Sequence, residues 1–322
     1  MTAAPATRHL LDVDDLGPEG IEEVLTLAEL DPAELSSVLS GRGVAMVFEK
    51  PSNRTRNSTE MAAVELGAHP VYIQGSEVGI DVRETAADVA RTLACYHAVI
   101  CARVVDHATL GRMSAALDAD GVGVPVVNLL SDRAHPVQAL ADLLTLRQLF
   151  GPGWRDRTLA FVGDANNVWR SLALACAMAG MATRLATPGG YEPASEDVDQ
   201  VRSAGGRLEV TDDPHKAAAG ADVLYTDVWT SMGQEDEAER RHRDFARYAI
   251  DDDLVALAAP EAVVLHCLPA HRGLEISDDV IDGPHSRVWQ QAKNRMHVMR
   301  GVLAWATGHQ SPVASDHDGS KR

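Results

Sequence analysis

The strongest constraint on the fold is a regular alternation of short apolar stretches with amphipathic ones. In the second half of the chain, "TLAFVGD", "ATRLATP", "RLEV", "DVLYTDV" and "AVVLHCLP" have strand character, and segments of helical character separate them. Such an alternation predicts a parallel sheet with helices on both faces. The first half repeats it with "GVAMVF", "HPVYI", "HAVICAR" and "VPVVNLL". The sequence therefore predicts two α/β domains.

The domain boundaries are predicted from where each half completes its sheet. We expect a first domain over residues 1–142 and a second over 143–288, since a chain of 322 residues can form two cores. The helical segment at about 289–308 follows the second sheet and is expected to pack back on the first domain. Residues 309–322, "HQSPVASDHDGSKR", are polar and are expected to be disordered.

Charge disfavours one large class of function. The net charge is −18, because 47 acidic residues oppose 29 basic ones. A nucleic-acid-binding protein normally presents a basic face, so this class is not expected. An anionic small molecule would need a local group of arginines that works against the overall field. The string "SNRTR" is such a group.

The cellular location is predicted from two further features. No apolar run approaches the roughly 20 residues that a membrane-spanning helix needs, and the N-terminal segment turns acidic at Asp12 before a signal-like region forms. We therefore expect a cytoplasmic protein without membrane partners. The glycosylation patterns at Asn53 and Asn57 are then incidental.

Polar residues follow the predicted strands, where open parallel sheets bind their ligands. These positions are Ser52 to Arg56, Arg103, His135 with Gln138, Asn166 with Asn167, Asp227 with Ser231, and His266 with Cys267. The set combines several cations with one acid and one thiol. It predicts a site at the carboxyl ends of the strands.

The "SNRTR" string admits two interpretations. A helix N-terminus offers unpaired N–H groups, Ser52 and Thr55 add hydroxyls, and Arg54 adds a fork that matches phosphate oxygens. The alternative, equally favoured by the string alone, is a capped helix with surface arginines. The P-loop pattern and the GxGxxG pattern are both missing, which disfavours ATP and dinucleotides.

The remaining candidates also have alternatives. His135 and Gln138 can both act as donors to one small ligand, although His135 can equally be a helix cap. Asp227 can hold an ammonium group or serve as a turn residue. Cys267 can be a nucleophile, a thiol that holds an amine, or a buried structural residue. The four cysteines form no CxxC pair and show no zinc spacing, so each is expected to be a free thiol.

Six strings together resemble the ornithine carbamoyltransferases. They are "FEKPSNRTR", "HPVQALADLLT", "GDANNV", "TDVWTSMGQE", "HCLPAHRG" and "NRMH", and they occur in that family's order between about Arg8 and Gly308. The resemblance implies carbamoyl transfer from carbamoyl phosphate to the δ-amine of L-ornithine, giving L-citrulline and phosphate in arginine metabolism. It also implies a homotrimer, or a multiple of trimers, and no metal or organic cofactor.

The resemblance further implies roles for individual residues. Carbamoyl phosphate is expected to contact Ser52, Asn53, Arg54, Thr55, Arg103, His135, Gln138, Cys267, Leu268 and Arg295. Ornithine is expected to contact Asn167, Asp227, Ser231 and Met232. The expected catalytic residues are Arg103 and His135 at the developing oxyanion, and Asp227 and Cys267 at the amine. Cys267 is expected to act without forming a covalent intermediate.

Three positions depart from the family pattern. Asn53 replaces a usual Thr, Lys293 replaces a usual Glu, and Glu77 stands where Gln often reaches carbamoyl phosphate in a neighbouring subunit. A carboxylate beside a dianion is unfavourable unless a cation such as Arg83 pairs with it. The alternatives are a carbamoyltransferase for another amine, against which "DVWTSMG" argues, and a silent binding paralogue, against which the retained catalytic set argues.

Overall fold

The computed structural model describes residues 6–230 and 235–310. Ser231 and Met232, which were predicted to contact ornithine, lie outside the described residues. So does the part of the predicted tail from residue 311 onward. Among the described residues, no helix combines the length and the apolar character that crossing a membrane requires.

Two parallel sheets contain all the named strands of the described ranges. In chain order the strands are β1 (Gly43–Phe48), β2 (His69–Gln74), β3 (His97–Arg103), β4 (Val126–Leu130), β5 (Thr158–Val162), β6 (Ala182–Ala186), β7 (Arg207–Thr211), β8 (Val223–Thr226) and β9 (Val263–His266). The first sheet has the order β2-β1-β3-β4 and the second the order β7-β6-β5-β8-β9. The predicted fold class, two parallel α/β sheets, is confirmed.

Helices connect successive strands in both sheets. They are α1 (Gly17–Glu29), α2 (Pro32–Leu35), α3 (Asn53–Glu65), α4 (Gly75–Val78), α5 (Ala86–Ala94), α6 (Ala108–Ala119), α7 (Pro136–Phe150), α8 (Asn167–Ala179), α9 (Ser195–Ser203), α10 (Pro214–Ala218), α11 (Ala238–Asp244), α12 (Asp252–Val255), α13 (Asp278–Ile281) and α14 (Val288–Ala306). Short 3-10 helices occupy Val13–Asp15, Gly151–Asp156 and Glu235–Glu237.

The chain divides into two compact units. The first contains the residues up to Leu140 together with those from Arg295 onward, and the second contains Ala141–Asn294. Both crossings fall inside continuous helices, α7 and α14. The sequence placed these crossings at 142 and about 289. The assignment of one substrate to each domain stays a prediction.

The C-terminal helix packs on the first unit. Arg300 on α14 is almost fully buried, and its Nη2 donates to the carbonyl oxygens of Ala28 and Leu30, each at 2.9 Å. These carbonyls lie at the end of α1, where helix carbonyls lack partners within the helix. The Nη1 of Arg300 donates to Glu65 Oε2 at 2.7 Å. Gly301 allows the close approach of the two helices, since an added Cβ would come within 3.0 Å of the Ala28 nitrogen.

Replacing Gly301 by alanine is expected to destabilise the protein. The new Cβ would collide with the backbone of α1, and overpacking of this kind costs about 1–3 kcal/mol. Gly111 in α6 is the matched control, because a Cβ added there meets nothing within 4 Å. Gly111→Ala should raise the midpoint of thermal unfolding slightly, while Gly301→Ala should lower it. Equal midpoints for the two variants would show that α14 does not approach α1 closely.

Strand order brings the sequence candidates together within each unit. In the first unit β1, β3 and β4 are neighbours, and their carboxyl ends lead to the segments that contain Arg54, Arg103 and His135. In the second unit β5, β8 and β9 are neighbours and lead to Asn166, Asp227 and Cys267. Each unit therefore presents its own polar group at one edge of its own sheet.

Candidate active site

Three arginines lie near one another in the first unit. Arg103 ends β3, Arg54 lies in the first turn of α3, and Arg295 lies on α14. Burial first, and then the charges of Arg295 and Arg54, lower the pKa of Arg103 to about 10. The Nε of Arg103 is buried without a hydrogen-bond partner among the described residues. This arginine cluster (Arg54, Arg103 and Arg295) is therefore suited to an anion that neutralises it.

His135 is held neutral beside this cluster. His135 directly precedes α7 and is only 6% exposed. Burial, followed by the charges of Arg295, Arg103 and Arg54, holds the pKa of His135 well below its usual value. At pH 7 the imidazole can therefore donate one hydrogen bond without adding another positive charge to the arginine cluster.

Gln138 is oriented by an arginine of the cluster. Arg295 Nη1 donates to Gln138 Oε1 at 2.6 Å, and Gln138 is 1% exposed. Because this contact fixes the amide oxygen, the Nε2 group lies on the opposite side of the amide and can only donate. Gln138 can therefore act as a donor, and its contact with carbamoyl phosphate stays a prediction.

The start of α3 uses its hydroxyl groups internally. Ser52 is the N-cap: its Oγ accepts from the Thr55 nitrogen at 3.4 Å and donates to Thr55 Oγ1 at 3.0 Å. The Asn53 side-chain oxygen accepts from Asn57 Nδ2 at 2.9 Å. Asn53, one of the departures from the family pattern, therefore uses its side chain in a contact within the helix. Ser52 therefore acts as a helix cap, as the capped-helix interpretation of this string predicts.

The two arginines of "SNRTR" have different surroundings. Arg54 acts electrostatically on Arg103 and His135. Arg56 is exposed instead, stacks on the Tyr72 ring with 3.9 Å to its centroid, and faces Glu60 at 3.5 Å. Only Arg54 belongs to the arginine cluster.

In the second unit, Asp227 is the centre of a hydrogen-bonded group. The Cys267 thiol donates to Asp227 Oδ1 at 2.8 Å, and Asn166 Nδ2 donates to Asp227 Oδ2 at 2.9 Å. Asn166 is itself fixed as the N-cap of α8, where its Oδ1 accepts from the backbone nitrogens of Val168 and Trp169. Asp227 is 7% exposed. A carboxylate held in this way can orient an amine.

A second acid lies close to Asp227. Burial raises the pKa of Asp164 to about 6, against the opposing effect of Arg241 and with a further contribution from Asp227. Arg241 pairs with Asp164 and also donates through Nε to the carbonyl oxygen of Trp229 at 2.5 Å. Arg241 thereby fixes the backbone two residues after Asp227. No motif in the sequence pointed to this pair.

The histidines near Cys267 do not serve it as a base. His266 Nε2 lies 3.1 Å from Glu275 Oε1, and His271 Nδ1 lies 3.9 Å from Glu275 Oε2. The thiol of Cys267 donates to Asp227 instead. Of the three interpretations of Cys267, the geometry favours a thiol that helps to hold an amine.

Metal binding at this group would break existing contacts. Asp227, His266 and Cys267 offer ligand atoms that all lie within 4.8 Å of one another. The Nδ1 of His266 accepts from the Leu268 nitrogen at 2.8 Å, however, and its Nε2 faces Glu275. Both ring nitrogens are therefore already engaged.

The sequence pointed to Asn167 as a site residue, whereas in the structure Asn166 is the asparagine that contacts Asp227. Asn167 was predicted to contact ornithine and is the first residue of α8. Asn166 is the residue that reaches Asp227. An Asn directly before a helical segment is a typical N-cap, and that signal was present in "DANNV".

Comparison with known proteins covers nearly the whole chain. Residues 8–148 match the family model "Aspartate/ornithine carbamoyltransferase, carbamoyl-P binding domain", and residues 155–306 match the "Asp/Orn binding domain" of the same family. A relative named ornithine carbamoyltransferase from Acidothermus cellulolyticus is 48% identical over 310 residues, covering 92% of this chain and 96% of the relative. A relative of the same name from Thermus thermophilus is 47% identical over 298 residues, covering 92% and 95%.

Solved structures agree with these matches. The ornithine carbamoyltransferase of Pyrococcus furiosus superposes with a TM-score of 0.88 at 42% identity, covering 95% of this chain and 99% of that one. The Thermus thermophilus enzyme gives a TM-score of 0.82 at 43% identity, covering 94% and 100%. The resemblance seen in the sequence motifs is thus confirmed, and this chain belongs to the aspartate/ornithine carbamoyltransferase family.

Proposed function

We propose that the protein transfers the carbamoyl group of carbamoyl phosphate to the δ-amine of L-ornithine, forming L-citrulline and phosphate. The observation that carries this proposal is the division of the polar residues between the two units. The first unit holds an arginine cluster suited to a phosphate, within the residues that match a carbamoyl-phosphate-binding domain. The second holds an acid and a thiol suited to an amine, within the residues that match an Asp/Orn binding domain.

Carbamoyl phosphate is assigned to the first unit. Its phosphate dianion relieves the mutual repulsion of the arginines, and Arg54 pairs with it at the N-terminus of α3, where N–H groups and the helix dipole favour an anion. Ser52, Asn53 and Thr55 line the same turn. Arg295 is assigned to the same ligand, because it belongs to the arginine cluster.

The carbonyl oxygen of the carbamoyl group is assigned to three donors. Arg103 supplies a charge, and His135 and Gln138 supply neutral N–H groups. Attack on the carbonyl carbon converts its oxygen to an oxyanion, and donors already in place stabilise that charge without reorganisation. Because His135 is neutral before the reaction, its hydrogen bond strengthens as the oxyanion forms.

The ornithine amine is assigned to Asp227 and Cys267, with Asn167, Ser231 and Met232 as further contacts of ornithine. Cys267 and Leu268 are also assigned to carbamoyl phosphate, where the two substrates meet. An alkyl amine has a pKa near that of lysine, about 10.4, so it must lose a proton before it attacks. Asp227 orients the nitrogen as that proton leaves. The neutral nitrogen forms a bond to the carbonyl carbon, the bond from that carbon to the phosphate oxygen breaks, and phosphate leaves with the electron pair. The attacking nitrogen gives up its second proton in this step, and the departing phosphate can accept it. Much of the rate gain then comes from holding both reactants in register.

One assay tests the reaction and its alternatives. Purified protein is incubated with carbamoyl phosphate and a panel of amines, namely L-ornithine, L-lysine, putrescine and L-aspartate, and each product is identified by mass spectrometry. We expect L-citrulline alone to form at an appreciable rate. A different preferred amine would favour another carbamoyltransferase. Binding of carbamoyl phosphate without any product would favour a silent paralogue.

Assembly and location are inferred from the family resemblance and from the sequence. We propose a homotrimer or a multiple of trimers, which sedimentation equilibrium would measure directly. A cytoplasmic location and a role in arginine metabolism stay predictions of the sequence. Accumulation of ornithine after loss of the protein would support that role.

Replacing Glu77 by glutamine is expected to lower the KM for carbamoyl phosphate. Glu77 is exposed in α4, and Arg83 Nη1 donates to its backbone carbonyl at 3.1 Å, so this contact leaves the carboxylate charge unneutralised. If the residue reaches a neighbouring subunit's phosphate, removing its charge helps binding several-fold, on the order of 1 kcal/mol after solvent screening. The KM for ornithine should move less.

Glu84→Gln is the matched control for that measurement. Glu84 is exposed in the same segment, and its substitution removes the same charge. An equal fall in KM for both variants would indicate a general field effect. An unchanged KM for Glu77→Gln would show that this segment does not reach the site.

A further inference from the structure

His266, the residue before Cys267, forms a buried hydrogen-bonded pair with Glu275. The side chains of His266 and Glu275 are both 0% exposed, and His266 Nε2 lies 3.1 Å from Glu275 Oε1. His266 ends β9, so its ring extends from a fixed strand. The sequence placed His266 among the polar residues at strand ends but gave neither residue a contact with substrate. A ring nitrogen of His266 lies within 4.8 Å of atoms of Asp227 and Cys267, yet both ring nitrogens are engaged by other groups, which indicates a role other than substrate binding.

The contacts of His266 determine which nitrogen carries the proton. Its Nδ1 lies 2.8 Å from the Leu268 nitrogen, and a backbone N–H can only donate. Nδ1 must therefore be the acceptor, so the single proton of a neutral imidazole lies on Nε2. From there Nε2 donates a hydrogen bond to Glu275. Glu275 thus selects the one tautomer that can bind the Leu268 N–H.

Leu268 needs such a contact because its backbone is in an unfavourable region. Its φ is 61°, and among the described residues other than glycine only Asp81 shares a positive φ. A left-handed conformation brings Cβ too close to the following carbonyl, so it persists only where surrounding contacts hold it. The hydrogen bond to His266 is such a contact, and partial packing of Leu268 on the core of the second unit is another.

The backbone before Cys267 is held as well. The His266 nitrogen donates to Gln291 Oε1 at 2.9 Å, and Gln291 Nε2 donates to the buried Asp142 at 2.7 Å. Cys267 therefore lies between His266, whose backbone and ring are both held by hydrogen bonds, and Leu268, whose backbone nitrogen is held by His266. Its Sγ reaches Asp227 Oδ1 at 2.8 Å from this position.

We propose that Glu275 and His266 are positioning residues, which set the backbone of Leu268 and thereby hold the Cys267 thiol against Asp227. The inference rests on the proposed carbamoyl transfer, because the thiol and Leu268 are assigned to that reaction. Glu275 is assigned no contact with substrate: it acts through His266, and its Oε1 also accepts from the His271 nitrogen at 2.5 Å. A misplacement of about 1 Å at a reacting centre can reduce turnover by roughly 100-fold.

Two variants of Glu275 separate positioning from simple packing. Glu275→Gln keeps an oxygen at Oε1 that can accept from His266 Nε2, so kcat should stay near that of the wild type. Glu275→Leu has a similar volume but no acceptor, so His266 is free to change tautomer and the hydrogen bond to Leu268 is lost. We expect kcat for citrulline formation to fall by roughly 100-fold, with both variants folded by circular dichroism.

A double variant provides the decisive test. Asparagine at position 266 can accept the N–H of residue 268 through its own side-chain oxygen, as in an Asx turn, without any help from Glu275. His266→Asn combined with Glu275→Leu should therefore recover turnover relative to Glu275→Leu alone. A double variant slower than the single variant would overturn the proposal, as would a Glu275→Leu protein as active as Glu275→Gln.

Alkylation of Cys267 gives a readout that does not depend on activity. The exposed Cys95 is first replaced by serine, and intact mass then reports the reaction with iodoacetamide, while Cys101 and Cys176 are buried. A thiol released from Asp227 should react faster in Glu275→Leu than in Glu275→Gln or the unsubstituted protein. Equal rates would contradict the positioning role. An unsubstituted protein that forms no citrulline would refute the proposed function, whereas this rate comparison would still test the inference.

Discussion

Replacing Arg54 by alanine is expected to weaken carbamoyl phosphate and inorganic phosphate together, by roughly 10- to 100-fold. Arg54 belongs to the arginine cluster and lies at the start of α3. Hydrogen bonds to charged groups contribute about 1.5–3 kcal/mol. The loss should appear in the KM for carbamoyl phosphate and in the inhibition constant of phosphate, because both ligands present the same group. The KM for ornithine should change much less.

Arg56 provides the control for this result. It lies two residues further along the same helix, carries the same charge, and stacks on Tyr72 away from the cluster. Arg56→Ala removes the charge without removing a member of the cluster, so both phosphate constants should stay close to the wild-type values. An unchanged inhibition constant for phosphate in Arg54→Ala would instead indicate that Arg54 is a surface arginine of a capped helix.

The sheets could be predicted from the sequence because buried parallel strands have a simple pattern. Strands β1, β3, β5 and β9 are covered on both faces, so each appears as a short continuous apolar run. Polar residues after those runs could then be collected at one edge by topology alone. The sequence alone therefore predicts Arg103, Asp227 and Cys267 at the carboxyl ends of their sheets.

The domain crossings were harder to predict, because no local signal marks them. The chain changes unit between Leu140 and Ala141, inside α7, and again between Asn294 and Arg295, inside α14. Helical periodicity continues through both points, and boundaries normally carry loop residues.

The partners of the site residues could not be predicted from spacing. Asn166 reaches Asp227 across 61 residues, and Gln291 reaches Asp142 across 149. Each contact joins separate parts of one unit, and a single sequence gives no information about which polar residues will meet. Glu275 lies only nine residues from His266, yet the spacing alone does not identify the pair. Residue types at strand ends were therefore predictable, whereas the hydrogen bonds that orient them were not.

Replacing Cys267 by serine is expected to raise the KM for ornithine by about tenfold and to lower kcat by 10- to 100-fold, whereas carbamoyl phosphate binding should change much less. The thiol donates to Asp227 Oδ1 at 2.8 Å. A hydroxyl sits closer to its own Cα than a thiol does, so it cannot keep that contact without moving the backbone or Asp227. Cys95→Ser is the matched control, because Cys95 is exposed and precedes β3, at the opposite end of that strand from Arg103.

The same variant bears on whether the thiol forms a covalent intermediate. The thiol donates its hydrogen bond to Asp227, both ring nitrogens of His266 are engaged by Leu268 and Glu275, and His271 faces Glu275. Rapid quenching of the wild-type protein with labelled carbamoyl phosphate should therefore trap no label on Cys267. A thioester at that residue, lost in Cys267→Ser, would make the cysteine a nucleophile. Asp227 would then have to serve as its base, since it is the carboxylate to which the thiol donates.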